Sequence, residues 1–415
     1  MVSAAAPIRV HSTAAYGRIS PMEAQATRAS GGWAAAARAA AQALVASRLL
    51  VFAAGVAGAA ALRPWSGREL DFDPWGLVPD SVLVGPLARW DSVWFLSVAT
   101  DGYGSEARRT AFFPLYPLLT GLGGDLLGSP LAAGVLVSLV ALLVSLMLVH
   151  RLAEIEVGPR EAEVAVWLLA LFPASVYLSA VYSESLFLAL TLGAALAART
   201  GIWPLAGALG GLAAATRSVG ILVLVLLVGL WLDRRAGSRR RPADLAWLAL
   251  VPLGLLAYAL WLEQRGFGAF SFLEVQATWG RVTAGPWTGV ADGLVAGGQG
   301  LGTLVSTGAA PLAAHNVMLA CWLLLGVAGV AGALRVLPWA YGLYMALILL
   351  AALSSPVDWQ PLLSLPRVML VCFPLFLWLA SALAPGRIPR MATYAVSALA
   401  LATWAALFSA WTWLA

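Results

Sequence analysis

Charge is what this 415-residue chain has least of: Asp, Glu, Lys and Arg make up 11% of it, against roughly a quarter in soluble domains. So little charge cannot cover a water-facing surface. Lysine is absent altogether, so all 25 basic residues are arginines. With heavy use of Ala, Gly and Leu, that is the composition of a GC-rich bacterial genome. The two cysteines, Cys321 and Cys372, sit inside apolar runs and read as small hydrophobes, which leaves no disulfide framework. The three histidines, His11, His150 and His315, are scattered without ligand spacing, which disfavours a histidine metal site. No glycine-rich phosphate loop follows a strand, no Cys-x-x-Cys occurs and no Ser/His/Asp set assembles, so soluble-nucleotide chemistry is disfavoured.

What is there is hydrophobic: 61% of the residues, in runs long enough to cross about 30 Å of hydrocarbon, recurring from Ala41 to the C-terminus. Backbone amides in lipid must pair internally, and these Leu/Ala/Val runs lack the polar alternation of barrel strands. The expected fold is therefore an all-α polytopic membrane protein of about eleven transmembrane helices. In such a chain a net charge of +5 reports orientation first, and a nucleic-acid partner is not implied. Residues 1–32, Ala/Ser-rich and without strong periodicity, are expected to be a disordered cytoplasmic tail, with a single transmembrane domain over 33–415. The apolar stretch from Ala41 to Leu62 exceeds the roughly 7 to 15 residues of a cleavable signal core and reads as the first span.

Arg9, Arg18, Arg28 and Arg38 precede that span, and Arg234, Arg235, Arg239, Arg240 and Arg241 crowd a later loop. The positive-inside rule puts both in the cytoplasm, along with the connection around His150 to Arg160 and the turn Gly386-Arg387-Ile388-Pro389-Arg390. Between Arg160 and Arg234 an even number of crossings is then required, offered equally by two long crossings or by four short segments near 163–179, 184–199, 203–216 and 219–232. Such lengths suit tilted, broken or protein-shielded helices. Further spans fall near 130–150, 244–263, 310–333, 337–354, 368–384 and 391–413. Two long segments, 63–129 and 264–309, are left on the non-cytoplasmic side. In the first, the aromatic stretch Trp90 to Val98 and the Pro-interrupted Phe112 to Leu122 suit interfacial helices. In the second, Gly297-Gly298-Gln299-Gly300 reads as flexible loop.

Where charges are so few, acids and arginines at outer span ends are informative. Arg89, Asp91 and Asp101 form one group. Asp91, between Trp90 and Trp94 and near a cation, fits either a salt bridge under an interfacial tryptophan belt, the commoner arrangement, or an ionised general base. Tyr182-Ser183-Glu184-Ser185 and Thr216-Arg217-Ser218 lie at the outer ends of successive hairpins. Arg217 there suits a phosphate, and Glu184 either orients a sugar hydroxyl or braces Arg217. Gln276, Trp279 and Arg281, with Asp358 and Arg367, share the same side. Asp71 and Asp73 have the i, i+2 carboxylate spacing of metal-assisted glycosyl transfer, but such pairs arise easily by chance, and a divalent metal is not favoured.

Several of these residues sit in ordered blocks: Arg89-Trp90-Asp91-Ser92-Val93-Trp94-Phe95, Asp101-Gly102-Tyr103, and Phe112-Phe113-Pro114-Leu115-Tyr116-Pro117. Next come Phe172-Pro173-Ala174-Ser175, Tyr182 to Phe187, Ala215-Thr216-Arg217-Ser218-Val219-Gly220 and Ser364-Leu365-Pro366-Arg367. This series resembles the GPI mannosyltransferase 2 (PIG-V) family over about 89–375. The resemblance implies a multi-span C-type glycosyltransferase that takes mannose from a polyprenyl-phosphate carrier on the non-cytoplasmic face and inverts its anomeric centre. It implies that Asp91 is the base for the acceptor hydroxyl. Arg217 and Arg367 suit the leaving phosphate on chemistry and side, and Arg89, Asp101, Glu184, Gln276 and Arg281 are further substrate-binding candidates. The implied partners are a lipid-linked sugar donor, a glycolipid or glycan acceptor, and the bilayer of the cell membrane. The alternatives are a lipid or sugar transporter, which should carry its polar residues at mid-membrane on broken helices, and a non-catalytic subunit of a glycan-assembly complex.

Overall fold

The computed structural model describes residues 21–62, 72–233, 241–308 and 310–414, with side chains from Gly32 onward. The apolar runs fold as helices, and the described residues contain no strand, only isolated bridges from Val357 to Arg281 and to Gln360. The all-α class expected from composition is what forms.

Helix α1 runs over Pro21–Ala61, so the segment from 21 to 32, expected as disordered tail, is helical, while 1–20 lie outside the described residues. Helices α2 (Asp91–Asp101) and α3 (Leu115–Leu127) occupy the large first loop, as the aromatic and Pro-interrupted stretches predict. Then follow α4 (Pro130–Glu156), α5 (Pro159–Ala170), α6 (Glu184–Arg199), α7 (Trp203–Ala214), α8 (Val223–Leu232) and α9 (Asp244–Gln264). The chain closes with α10 (Pro286–Thr307), α11 (Pro311–Val336), α12 (Trp339–Leu353), α13 (Leu365–Val371), α14 (Pro374–Leu383) and α15 (Arg387–Ser409).

Among the described residues, five helices are long and apolar enough to cross a membrane: the part of α1 from Gly32, α4, α9, α11 and α15. A sixth span is the pair α13 and α14, bent by 79°, with Pro374 opening the second half because proline suits a first helical turn and not an interior. The four short segments after Arg160 form α5 to α8. At 16 residues α6 is only about 24 Å long, yet nearly its whole length is buried. Neighbouring helices shield it, so it need not match the hydrocarbon thickness alone.

The expectation that Gly297-Gly298-Gln299-Gly300 is flexible loop is corrected by α10, a 22-residue helix. Its buried face is Gly289, Gly293, Gly297 and Gly300, a small residue at every turn. A Cβ on Gly297 would stand 2.6 Å from the Ala320 Cβ, and one on Gly300 2.6 Å from the Ala313 carbonyl oxygen. Glycine there lets the α10 and α11 backbones touch, which is packing chemistry of membrane helices, not loop chemistry.

Two buried polar networks join the bundle away from the outer loops. Arg48 of α1 donates to the Ala170 carbonyl at 3.1 Å, the Ser175 carbonyl at 2.7 Å, the Ser175 hydroxyl at 2.8 Å and the Ser179 hydroxyl at 2.8 Å. It thereby satisfies the carbonyls freed where α5 breaks before the 3-10 turn Pro173–Leu178. At the far end, Glu156 meets Arg199 at 2.6 Å, Arg199 lies 3.5 Å from Asp233, and the Tyr341 hydroxyl donates to Glu156 at 2.8 Å. These four side chains tie α4, α6, the end of α8 and α12 together.

Candidate functional site

The ends of α2, α6 and α13 deliver three charged residues to one point. Asp91 opens α2, Glu184 opens α6, and Arg367 sits in the first turn of α13. Two of these helices begin from unusual backbone: Trp90, before Asp91, has φ 56°, and Ser364, before α13, has φ 73°. Left-handed conformation costs a non-glycine residue about 1–3 kcal/mol and persists where the surroundings over-determine it, often at functional sites. Trp90 is fixed by the buried Tyr182, whose hydroxyl donates to the Arg89 carbonyl at 3.1 Å and accepts from the Asp91 amide at 3.2 Å. That clamp aims the start of α2.

Arg367 bridges the two acids. Its Nη1 donates to Asp91 Oδ2 at 2.7 Å, while Nε and Nη2 both reach Glu184 Oε1, at 3.0 and 2.7 Å. The aromatic faces of Tyr177 at 5.0 Å and Tyr182 at 4.9 Å lie against the guanidinium, with Trp413 at 6.0 Å. Arg217 joins through Nη1, 2.9 Å from Glu184 Oε1 and 3.2 Å from the Ser183 hydroxyl. Arg281 approaches from the segment before α10, held by the Ser355 carbonyl at 3.1 Å and the Ser364 hydroxyl at 3.0 Å. Burial, followed by the like charge of Arg367, pushes the Arg281 guanidinium below its usual range, with Arg217 adding to the effect and Asp91 opposing it.

Exposure separates the two acids. The Glu184 side chain is 0% exposed and that of Asp91 27%. Asp91 keeps Oδ1 without a hydrogen bond among the described residues, beside an Oδ2 that is held. Glu184 Oε2 is buried and likewise without a partner there. Arg367 is 8% exposed and its three nitrogens are already engaged, whereas the Arg217 side chain is 24% exposed and uses only Nη1. Three guanidinium groups thus surround two carboxylates, leaving one formal positive charge.

The other candidates lie around this centre. Arg89 is buried beneath it, donating through Nε to the Ser409 carbonyl at 3.1 Å with Trp411 over its guanidinium at 4.8 Å. Asp101, at the opposite end of α2, pairs with Arg109 at 3.1 Å and is 54% exposed. Ten residues of helix separate it from Asp91 by about 15 Å. Gln276 donates to the Phe272 carbonyl at 3.3 Å and does not join the charged network, although its neighbour Trp279 packs edge-on against Trp94 at 5.8 Å. Near that wall Glu106 is held below its usual range by the Arg108 hydrogen bond. Asp73 accepts the amides of Leu77 and Val78 at 3.0 and 2.8 Å, and Asp71 lies outside the described residues. No group of metal-binding side chains occurs among the described residues.

Sequence reading missed the carboxyl-terminal turn. After α15 the chain bends at Trp411, φ 59°, placing Trp411 and Trp413 at 5.7 and 5.1 Å from Trp90. The Leu414 carbonyl meets His315 Nε2 at 3.0 Å. The available signal was the Trp-Thr-Trp run just past the last apolar stretch, an interfacial anchor by composition.

Residues 77–234 match the family model described as Mannosyltransferase (PIG-V). This stretch holds Arg89, Asp91, Asp101, Glu184 and Arg217, while Arg281 and Arg367 come from outside it. GPI alpha-1,6-mannosyltransferase 2 of Rattus norvegicus is 38% identical over 159 residues, 35% of this chain and 32% of that protein. GPI mannosyltransferase 2 of Yarrowia lipolytica is 32% identical over 174 residues, 42% of this chain and 48% of that protein. The human GPI alpha-1,6-mannosyltransferase 2 is 35% identical over 134 residues, 29% and 27% of the two chains. The chain therefore spans less than half the length of these curated relatives. No solved structure matches it.

Proposed function

Since residues 77–234 match the mannosyltransferase (PIG-V) family model, we propose that the chain is an inverting mannosyltransferase that uses a polyprenyl-phosphate-linked mannose. The observation that carries this reading is the charge arrangement around Asp91: a partly exposed carboxylate, braced on one oxygen and open on the other, within a cluster left with one positive charge. A lipid-linked sugar phosphate is a phosphodiester with one negative charge, so it neutralises that cluster.

In the proposed step the acceptor hydroxyl lies on Asp91 Oδ1. Its oxygen attacks the anomeric carbon as the bond from that carbon to the phosphate oxygen breaks, and its proton passes to Asp91. The bonding pair leaves with the polyprenyl phosphate, whose charge grows from one to two, so the pair needs cationic partners in the transition state. Arg217 and Arg281 are the fitting ones, because Arg217 leaves Nε and Nη2, and Arg281 leaves Nε, without a hydrogen bond among the described residues. Arg367, every nitrogen of which already donates to a carboxylate, instead positions Asp91. Its assignment to the phosphate on chemistry and side is therefore replaced by that of a brace. Attack opposite the leaving group inverts the centre, and because phosphate leaves without a proton a single base suffices.

Sidedness is supported by the bundle itself. Arg151, Arg160, Arg335 and Arg390 lie at helix ends remote from Asp91. The positive-inside rule puts that end in the cytoplasm and the Asp91 site on the other face of the cell membrane. The acceptor is a hydroxyl of a glycolipid or glycan.

Membranes carrying wild type or Asp91→Asn, incubated with labelled polyprenyl-phosphate mannose, separate the alternatives. Transfer of label into glycolipid or glycan fractions is expected from wild type, with a loss of about 10²–10⁴-fold in the variant. Equal transfer by a well-expressed Asp91→Asn protein removes Asp91 as the base.

A further inference from the structure

At the end of the bundle remote from Asp91, α5 and α15 diverge. Helix α15 lies tightly along α1 near its carboxyl end, where a Cβ on Gly55 would stand 2.7 Å from the Ser409 hydroxyl. Towards its amino end it leaves α5, and a cavity of about 580 Å³ opens between them. That volume falls within the range of small-molecule sites, about 300–1,000 Å³. The 19 residue steps from Arg390 to Ser409, whose carbonyl accepts from Arg89 beneath the Asp91 site, put its mouth about 29 Å from there, so it is no extension of that site.

The lining is graded. Arg160 and Glu163 of α5 and Arg390 of α15 stand at the mouth. Val164 lies beside Glu163, next come Trp167 and Tyr394, ring centroids 6.4 Å apart, and about one turn further along Leu171 and Ala398 form apolar walls. Arg390 spends Nη1 on the Ala384 carbonyl at 2.9 Å and keeps its other donors. Two arginines against one glutamate leave the mouth with one positive charge. Met391, which lines the wedge, is exposed, as are the apolar Val396 and Leu399 elsewhere on α15, so the helix bordering the wedge offers apolar surface to lipid.

We propose that this wedge is a binding site for an anionic phospholipid of the bilayer. The headgroup phosphate sits between Arg160 and Arg390, the Trp167 and Tyr394 rings lie at the boundary between headgroup and acyl chain, and an acyl chain fills the apolar depth. A free anion satisfies the arginines but leaves the apolar walls unfilled. A zwitterionic headgroup without net charge leaves the extra positive charge unmatched.

Native mass spectrometry of the delipidated full chain in detergent tests this. Phosphatidylglycerol and phosphatidylcholine of identical acyl chains are titrated separately, each with and without millimolar inorganic phosphate. Wild type is expected to hold one phosphatidylglycerol in preference to phosphatidylcholine, unaffected by phosphate. Arg160→Ala with Arg390→Ala should weaken phosphatidylglycerol about thirtyfold, taking about fivefold per arginine near a membrane surface. Ala395→Trp, which fills the wedge and spares both arginines, should lose the lipid as well. Equal retention of the two lipids by wild type, wild-type retention of phosphatidylglycerol by both variants, or displacement by inorganic phosphate each overturns the proposal.

Discussion

Arg367 holds Glu184 through two nitrogens on one oxygen, Nε at 3.0 Å and Nη2 at 2.7 Å from Oε1, and spends Nη1 on Asp91. The two acids come from helices far apart in sequence, so this guanidinium aligns α2 with α6. Only a planar fork does this, since a lysine ammonium is a single point charge. Arg367→Lys is expected to fold, keep the charge and lose at least about tenfold in transfer, because misplacing a reacting group by about 1 Å costs up to about 10²-fold. Arg367→Ala removes the charge from two carboxylates, one of them fully buried, and should destabilise by about 3–5 kcal/mol. Thermal unfolding beside transfer rates distinguishes the two, and a fully active Arg367→Lys protein contradicts the bracing role.

Arg217 and Arg281 carry a different expectation. If they meet the donor phosphate, removing either guanidinium weakens an interaction that grows as the phosphate departs, so Arg217→Ala and Arg281→Ala should lower kcat/KM for the lipid-linked donor by about 10–10³-fold. Apparent affinity for the acceptor should stay near wild type. Varying each substrate in turn checks this, and a defect confined to the acceptor reassigns both arginines.

The bundle and the Asp91 carboxylate were readable because they rest on local pattern. Apolar runs gave the helices, and Asp91 and Glu184 stood out as acids at span ends. The pairing of Arg367 with those acids was not readable. It joins residues separated by up to 276 positions, and periodicity carries no information at that range. The same limit hid Tyr177 and Trp413, whose rings bracket Arg367 but look like ordinary core and interface residues. Helix α10 was misread for another reason: Gly297, Gly298 and Gly300 signal flexibility in water, whereas against α11 glycine is the residue that permits contact.

That contact makes Gly300 a direct probe of α10. A side chain there meets the Ala313 carbonyl at 2.6 Å, a backbone atom that cannot swing aside. Gly300→Leu is expected to separate α10 from α11 and cost about 1–3 kcal/mol, as overpacking does. Gly302, on the same helix with open space around it, should accept alanine with no loss. Thermal melts of the two variants in one detergent make the comparison, and equal melts remove the packing explanation.

The far-end network makes the complementary case, a buried charge cluster without a place in the chemistry. Arg199 is 9% exposed and stands between Glu156, 2% exposed, and Asp233, 8% exposed, with Tyr341 donating to Glu156. Arg199→Met takes the cation from Glu156 and should cost about 3–5 kcal/mol, whereas Tyr341→Phe removes one hydrogen bond to a charged group and should cost about 1.5–3 kcal/mol. Adding Glu156→Gln to Arg199→Met removes the buried charge that lost its partner and should recover part of the loss. Through the series the transfer rate per folded molecule should hold at the wild-type value, because the network joins helix ends that lie a helix length from Asp91. Melting temperature should therefore move while that rate does not. A rate that falls in step with the charge changes, at unchanged melting temperature, couples the two ends of the bundle and refutes a purely structural role.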